Sequence, residues 1–464
     1  MKQKLIFNIS LLLLMGALFS ACKKDKFEPV NMSELNPDEP LANTELDQWL
    51  KTTFLDEYNV AVIYRYNRYY HEADRNVSPP KPEAVKPMMT TILEGYINPY
   101  RKIAGETFIK TNIPKEWVLF GSTSYDGSNV GYAGTAAGGA RVNLFGINGF
   151  SLSPGFVKGR LGVIHHEFIH ILNQRFIMPA DFQEITKSTY NGNWTSTNAD
   201  SAHKWGYVST YASQNPTEDF AETASALLVS GQSWFDNRVR TSTSDAGKAA
   251  LRAKEQSVVD YFNSSLNIDF RALQKEIQLY IKNTLKDPTV TFPYWINQGL
   301  YKTLMVNPDD LMYTQYGSSA AFTTVYNQFK DSVLKLNATA KYRLDYLQFR
   351  FDSPTSLVVR AAFTATGGTA AGTQYLGDYS FSMSVNSTTG EATFTKIAQA
   401  TGTTFNNGNI FLSSFGNTIQ KFLTESTFIG DWLPNGTPPS MYTKTAGFYQ
   451  KNAPANYFYG NLGL

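Results

Sequence analysis

Gly162–Phe176 reads GVIHHEFIHILNQRF, and within it His166-Glu167-Phe168-Ile169-His170 sets two histidines four residues apart around a glutamate. On a helix that spacing puts His166 and His170 on one face, where both imidazoles reach a single zinc ion. Glu167 then reaches a water on that ion and takes its proton. These residues are the minimum set for hydrolysing a peptide bond with a metal. The chain holds five histidines, His71, His165, His166, His170 and His203, so two of them in this pattern carry weight. Phe168, Ile169, Ile171 and Leu172 make a dry wall for an ion, but any core helix carries such residues. His165 points about 100° away from His166 around the helix axis, so it supports or packs behind the ligands and is not one itself.

Two histidines leave zinc one protein ligand short, because a hydrolytic site takes three and keeps a position open for water. Tyr211–Glu222, YASQNPTEDFAE, offers Glu218 and Glu222, four apart on one face. Pro216 suits the first position of a helix capped by Asn215, and that helix runs on through Val229. Asn215-x-x-Glu218 is also a capping-box spacing, in which Glu218 would only satisfy a backbone amide. Spacing alone does not choose between the two glutamates.

Working outward, Thr44–Tyr58 and Pro82–Ile97 have helical spacing, the second ending before Pro99. Trp117–Phe120 is a short buried strand. Gly121–Gly139 is a Gly/Ser/Ala loop and a candidate lid. Arg141–Phe145 alternates and reads as a strand, either the edge strand for pairing with an extended substrate or another core strand. Ala180–Lys204 reads as a polar surface loop; His71 and His203 read as ordinary polar residues, with substrate contact by His203 the alternative. Ala249–Asn263 and Phe270–Lys282 complete a helical lobe. From about Pro288 the character changes. A helix is expected over Ala320–Leu336, then strands over Leu344–Phe351, Leu357–Thr364, Tyr379–Val385 and Ala392–Ile397, forming an antiparallel sheet, sandwich or partial barrel. Tyr442, Phe448, Tyr449, Tyr457, Phe458 and Tyr459 are expected to fill its core.

The amino terminus reads as a leader. Lys2 and Lys4 precede an apolar run from Leu5 to Phe19, which ends in Ser20-Ala21-Cys22. Cys22 is the single cysteine, so the exported chain relies on its core and not on disulfides. Lys23–Lys26 and a proline-containing polar stretch then form a tether. Hydrophobic content of 42% and aromatic content of 14% suffice for folded cores. Without Lys2 and Lys4 the chain carries 39 residues of each sign, which gives no footprint for nucleic acid. The expected organisation is 1–21 signal peptide, 22–43 linker, 44–287 hydrolytic domain and 288–464 β-rich accessory domain, of class α+β.

HExxH followed by Tyr-x6-Glu-x-Phe-Ala-Glu, over Trp117 to Val229, resembles the catalytic domain of anthrax lethal factor and the secreted Pro-Pro endopeptidases. The resemblance implies a zincin-like fold of the gluzincin type and one Zn²⁺. It implies Glu218 as third ligand beside His166 and His170, Glu167 as general base, Tyr211 as hydrogen-bond donor to the developing oxyanion with Tyr207 as fallback, and Glu222 orienting a ligand histidine. The Ser-Ala-Cys22 leader with the HHEFxH and NPxEDFAE segments resembles the zinc metallohydrolase lipoproteins of Bacteroidetes that accompany SusC/SusD-type import systems. That implies lipidation at Cys22, an outer-membrane lipoprotein at the cell surface or periplasmic face, and a peptide or protein substrate. A zinc hydrolase acting on another bond, such as an amide of a modified glycan, and a non-catalytic binding lipoprotein are the rival readings.

Overall fold

The helix carrying the histidine pair runs Pro154–Asn173 and opens with Pro154 at its first position, where a missing N–H costs nothing. Val157, Leu161, Ile164, His165, Phe168, Ile169 and Leu172 are buried along it. The computed structural model describes residues 43–127, 131–137, 140–433 and 436–464. The leader, Cys22 and the tether therefore lie outside the described residues, as do parts of the Gly121–Gly139 segment.

A four-stranded sheet accompanies this helix. Its strands are β1 (Ala61–Ile63), β2 (Glu116–Leu119), β5 (Gly134–Ala137) and β6 (Arg141–Leu144), in the order β1-β2-β6-β5. The first three in that order are parallel, and β5 runs antiparallel to β6. Of the two readings of Arg141–Phe145, the core strand thus holds and the edge strand does not. β6 pairs on both sides, and the edge beside the metal helix is β5, inside the segment read as an open loop. The rest of that segment holds a two-stranded ribbon, β3 (Ser124–Tyr125) with β4 (Gly131–Tyr132).

The helix opened by Pro82 does not stop before Pro99. It passes through a wide turn at Leu93–Ile97 and continues as Asn98–Ala104. Pro99 has no N–H to give the carbonyl of Gly95 four residues back. His165 takes up that carbonyl, with Nε2 3.3 Å from the Gly95 oxygen. A Cβ on Gly95 would lie 2.7 Å from a methyl of Leu161, so glycine is what lets the two helices approach.

The carboxyl-terminal half is a closed eight-stranded antiparallel barrel. It comprises β7 (Thr303–Val306), β8 (Tyr342–Ser353), β9 (Ser356–Ala365), β10 (Gln374–Val385), β11 (Glu391–Lys396), β12 (Phe428–Asp431), β13 (Thr445–Gln450) and β14 (Ala453–Gly463), with β14 closing on β7. Its apolar cluster begins at Phe292 and includes Phe448, Phe458 and Tyr459 of the aromatic tail, and the helix Ala320–Lys335 packs into it. Residues 50–464 form one compact unit. Helical part and barrel join through Ser233 Oγ and Tyr301 OH at 2.8 Å, Trp432 Nε1 donating to the Val290 carbonyl at 3.0 Å, and the Lys282–Asp431 ion pair.

On the barrel wall Arg360 and Asp378 are register partners, paired through Nε–Oδ1 at 2.7 Å and Nη2–Oδ2 at 2.9 Å, with Arg350 at 3.4 Å. Burial works to raise the Asp378 carboxyl, but the two guanidinium groups outweigh it and hold it below the usual carboxylate range. A carboxyl depressed in the folded state stabilises above its unfolded pKa of about 3.8 and loses that contribution as pH falls. Asp378→Asn should therefore cost about 1–3 kcal/mol at neutral pH. The gap from wild type should shrink below about pH 4, read from urea unfolding midpoints across pH; an equal gap at pH 7 and pH 3 would refute this.

Candidate metal centre

His166 and His170, one turn apart, bring their Nε2 atoms within 3.0 Å of each other. The second site helix, Pro216–Val229, delivers the third group. Asn215 Oδ1 accepts from the N–H groups of Thr217 and Glu218, both at 3.0 Å, and fixes the start of the helix. Only that half of a capping box forms, because the Glu218 carboxylate turns to the histidines instead. Its Oε2 lies 3.0 Å from His166 Nε2 and 3.1 Å from His170 Nε2. A tetrahedral zinc with bonds of about 2.0–2.1 Å needs ligand atoms about 3.3 Å apart. The observed triangle is close to one face of that tetrahedron, and its donors, two imidazoles and a carboxylate, suit zinc.

Glu222, one turn further on, faces the back of the His166 ring, with Oε1 2.8 Å from Nδ1 as an ion-pair contact rather than an aligned hydrogen bond. Its Oε2 accepts from Ser209 Oγ at 2.6 Å, and Ser209 Oγ in turn accepts from the Ala212 N–H at 3.0 Å. The two glutamates that spacing could not separate thus occupy different positions around the histidines. Burial disfavours charge on His166, but Glu218 and Glu222 outweigh it and push its pKa up to about 10. Burial likewise opposes charge on Glu218, yet both histidines hold its carboxyl far below the usual range.

The cleft beside the triangle has a volume of about 480 Å³, and its lining includes Glu167, Gly134 of β5, Trp194, Gln214 and Tyr211. The Tyr211 ring lies over His166 at 5.8 Å between centroids, and Trp194 meets Tyr211 edge-on at 5.1 Å. Burial first, and then the Glu218 carboxylate, push the Tyr211 phenol up, so it remains a hydrogen-bond donor at neutral pH.

Residues 39–271, just over half of the chain, match a protein family described as "putative zinc-binding metallo-peptidase". The chain belongs to that family. A solved structure carrying the same description, from Bacteroides caccae, is 25% identical and covers 50% of this chain and 89% of its own, with a TM-score of 0.44. No curated protein matches the chain. Membership in the zinc-binding metallo-peptidase family makes the region around the triangle a zincin-like domain in general terms.

Other expected site residues of this metallopeptidase-family chain lie elsewhere. His165 is fully buried against Tyr96 and Tyr100, on the side of the helix away from the ligand triangle. The Gly95 oxygen can only accept, so His165 Nε2 carries the hydrogen. Burial lowers its pKa to about 4 and keeps the ring neutral. It packs between helices and does not orient a ligand. His203 does not meet the cleft either; its Nε2 lies 2.6 Å from the Arg238 carbonyl. Tyr207, the fallback for Tyr211, is buried, and its hydroxyl is bound to Thr189 and Thr186.

Sequence reasoning missed Ser209, Trp194 and Gln214, which belong to loops that only the fold brings to the cleft and the histidine–glutamate cluster. It also missed Asp219. That carboxylate and Lys254 Nζ are 2.7 Å apart with both side chains wholly buried, and Tyr190 OH adds a hydrogen bond to Asp219 at 2.9 Å. Lys254→Ala leaves an uncompensated buried carboxylate and should cost about 3–5 kcal/mol. Lys254→Met with Asp219→Leu should recover part of it. Thermal unfolding of the three variants checks this; a Lys254→Ala protein as stable as wild type would exclude it.

Proposed function

We propose that this chain is an exported zinc metallopeptidase of the HExxH…Glu type. The observation that carries the reading is the triangle of His166 Nε2, His170 Nε2 and Glu218 Oε2, with Glu167 beside it on the wall of a cleft. His166, His170 and Glu218 would hold a zinc ion there, and it would supply the Lewis acidity that acidifies a water and polarises the scissile carbonyl. Glu167 takes the proton of the attacking water and passes it to the departing nitrogen. Glu218 remains a carboxylate and Tyr211 a phenol across the neutral range, which suits one as ligand and the other as donor to the oxyanion. Glu222, held by Ser209, fixes the ring of His166. An extended peptide finds a free strand edge at β5 along the same cleft.

Beyond the chemistry, the Ser-Ala-Cys22 leader supports a lipid-anchored protein of the outer membrane. The joint presence of that leader with the HHEFxH and NPxEDFAE segments supports a place beside SusC/SusD-type import. The likeness to the lethal-factor and Pro-Pro endopeptidase type supports Glu218 and Tyr211 in their roles.

Zinc content and cleavage of a peptide library, measured together, test this reading. Wild type should hold one zinc and cleave. Glu167→Gln should keep the zinc and lose turnover. Tyr211→Phe should keep the zinc and lose about 10²–10³ in kcat. Glu218→Ala should lose zinc. Full turnover by Glu167→Gln would overturn the mechanism. Bound zinc without peptide cleavage would move the assignment to a hydrolase of another bond or to a binding protein.

A further inference from the structure

A second cavity of about 370 Å³ adjoins the catalytic cleft, and Val163 and Glu222 line both. Gly159 and Gly162 also line it, on the metal helix one to two turns before His166. On a helix rising 1.5 Å per residue, Gly162 stands about 6 Å and Gly159 about 10.5 Å from the level of His166. An extended chain advances about 3.3 Å per residue, so the groove spans two or three substrate residues beyond the scissile bond.

The walls set what enters. Besides the glycines they include Ser225, Ala226 and Ser230, all small, and Trp234. A groove within the range of about 300–1,000 Å³ that holds sizeable ligands, walled by small residues, leaves the bulk to the guest. Lys158 and Glu222 are the charged lining residues, and both are engaged. Lys158 Nζ lies 3.0 Å from Asp287 and 2.8 Å from Thr289, and Glu222 is held by Ser209 and His166. A charged side chain entering would lose water without finding a partner.

The glycines themselves call for a reason. Each costs a helix interior about 1 kcal/mol against alanine. A Cβ on Gly159 or Gly162 would find nothing within 4 Å, so no neighbouring chain demands glycine there. What their bareness provides is width in the groove beside the metal ligands. The geometry points to this groove as a substrate subsite that takes a large uncharged side chain, aromatic or long aliphatic, two or three residues from the scissile bond. Trp234, which also packs against the barrel core, is its aromatic wall. The inference rests on the peptidase reading and names the substrate class of the same site.

The test uses the full-length, zinc-loaded protein and a mixture of random peptides, with products read by mass spectrometry. Wild type, Gly159→Leu, Gly162→Leu and Gly162→Ala are compared. Wild type should favour large uncharged residues at one position two or three residues to one side of the cut. Each leucine variant should lose about tenfold or more in kcat/KM for such peptides and shift that position towards small residues, with the other side of the cut unchanged. Gly162→Ala should show the same shift in weaker form. All three should match or exceed the wild-type thermal midpoint and keep one zinc, because their side chains extend into open space. Cleavage with an unchanged preference in every variant would overturn this inference and leave the peptidase intact. Absence of peptide cleavage by zinc-loaded wild type would overturn both.

Discussion

The buried pair of Lys254 and Asp219 sets the geometry on which the metal centre depends. Adjacent residues on a helix point about 100° apart, so fixing Asp219 inward towards Lys254 directs Glu218 across to the histidines. The same ammonium donates to the Gly206 carbonyl at 2.9 Å, at the head of the turn that leads to Tyr211. One charge thus ties together the two segments that supply Glu218 and Tyr211. Burial pushes the Asp219 carboxyl up and the Lys254 amine down, which is the cost of keeping both ions out of water. Such pairs contribute less to net stability than to holding a single arrangement.

Around the histidines the balance of charge is deliberately uneven. Glu167, Glu218 and Glu222 gather three carboxylates about two imidazoles, in a site largely shielded from solvent. Three carboxylates against two imidazoles make a site that favours a divalent cation. The barrel stands apart from this chemistry. Its closure leaves it no free strand edge, and the joint at Ser233, Tyr301, Lys282 and Asp431 gives the helices a rigid base.

Much of the centre was legible because it is written at helical spacing. His166, Glu167 and His170 declare their shared face within five residues, and Asn215-Pro216 declares the start of the second helix. The choice between Glu218 and Glu222 was not legible, since it depends on how two helices cross. Strand β5, Gly134–Ala137, was lost because GTAA has neither alternation nor β-branched density, whereas β6 alternates and drew the edge assignment to itself. β7 and β12, four residues each, gain their stability from partners far along the chain, and barrel closure is likewise non-local. The expected helix end at Pro99 failed because a histidine 66 residues away supplies the hydrogen bond that proline withholds.

That substitution of one donor for another leaves a historical mark. With Pro99 present, Gly95 needs the imidazole of His165. With an ordinary residue at 99 the helix could close its own ladder, and the Gly95 oxygen, with its two lone pairs, would accept from both groups. Losing His165 while Pro99 stays leaves the buried Gly95 carbonyl without that donor, at about 1–3 kcal/mol, whereas replacing Pro99 first strands nothing. The histidine that precedes the metal-binding motif is therefore tied to a proline in a different helix. A descendant sequence can give up the proline first, but the histidine only after it.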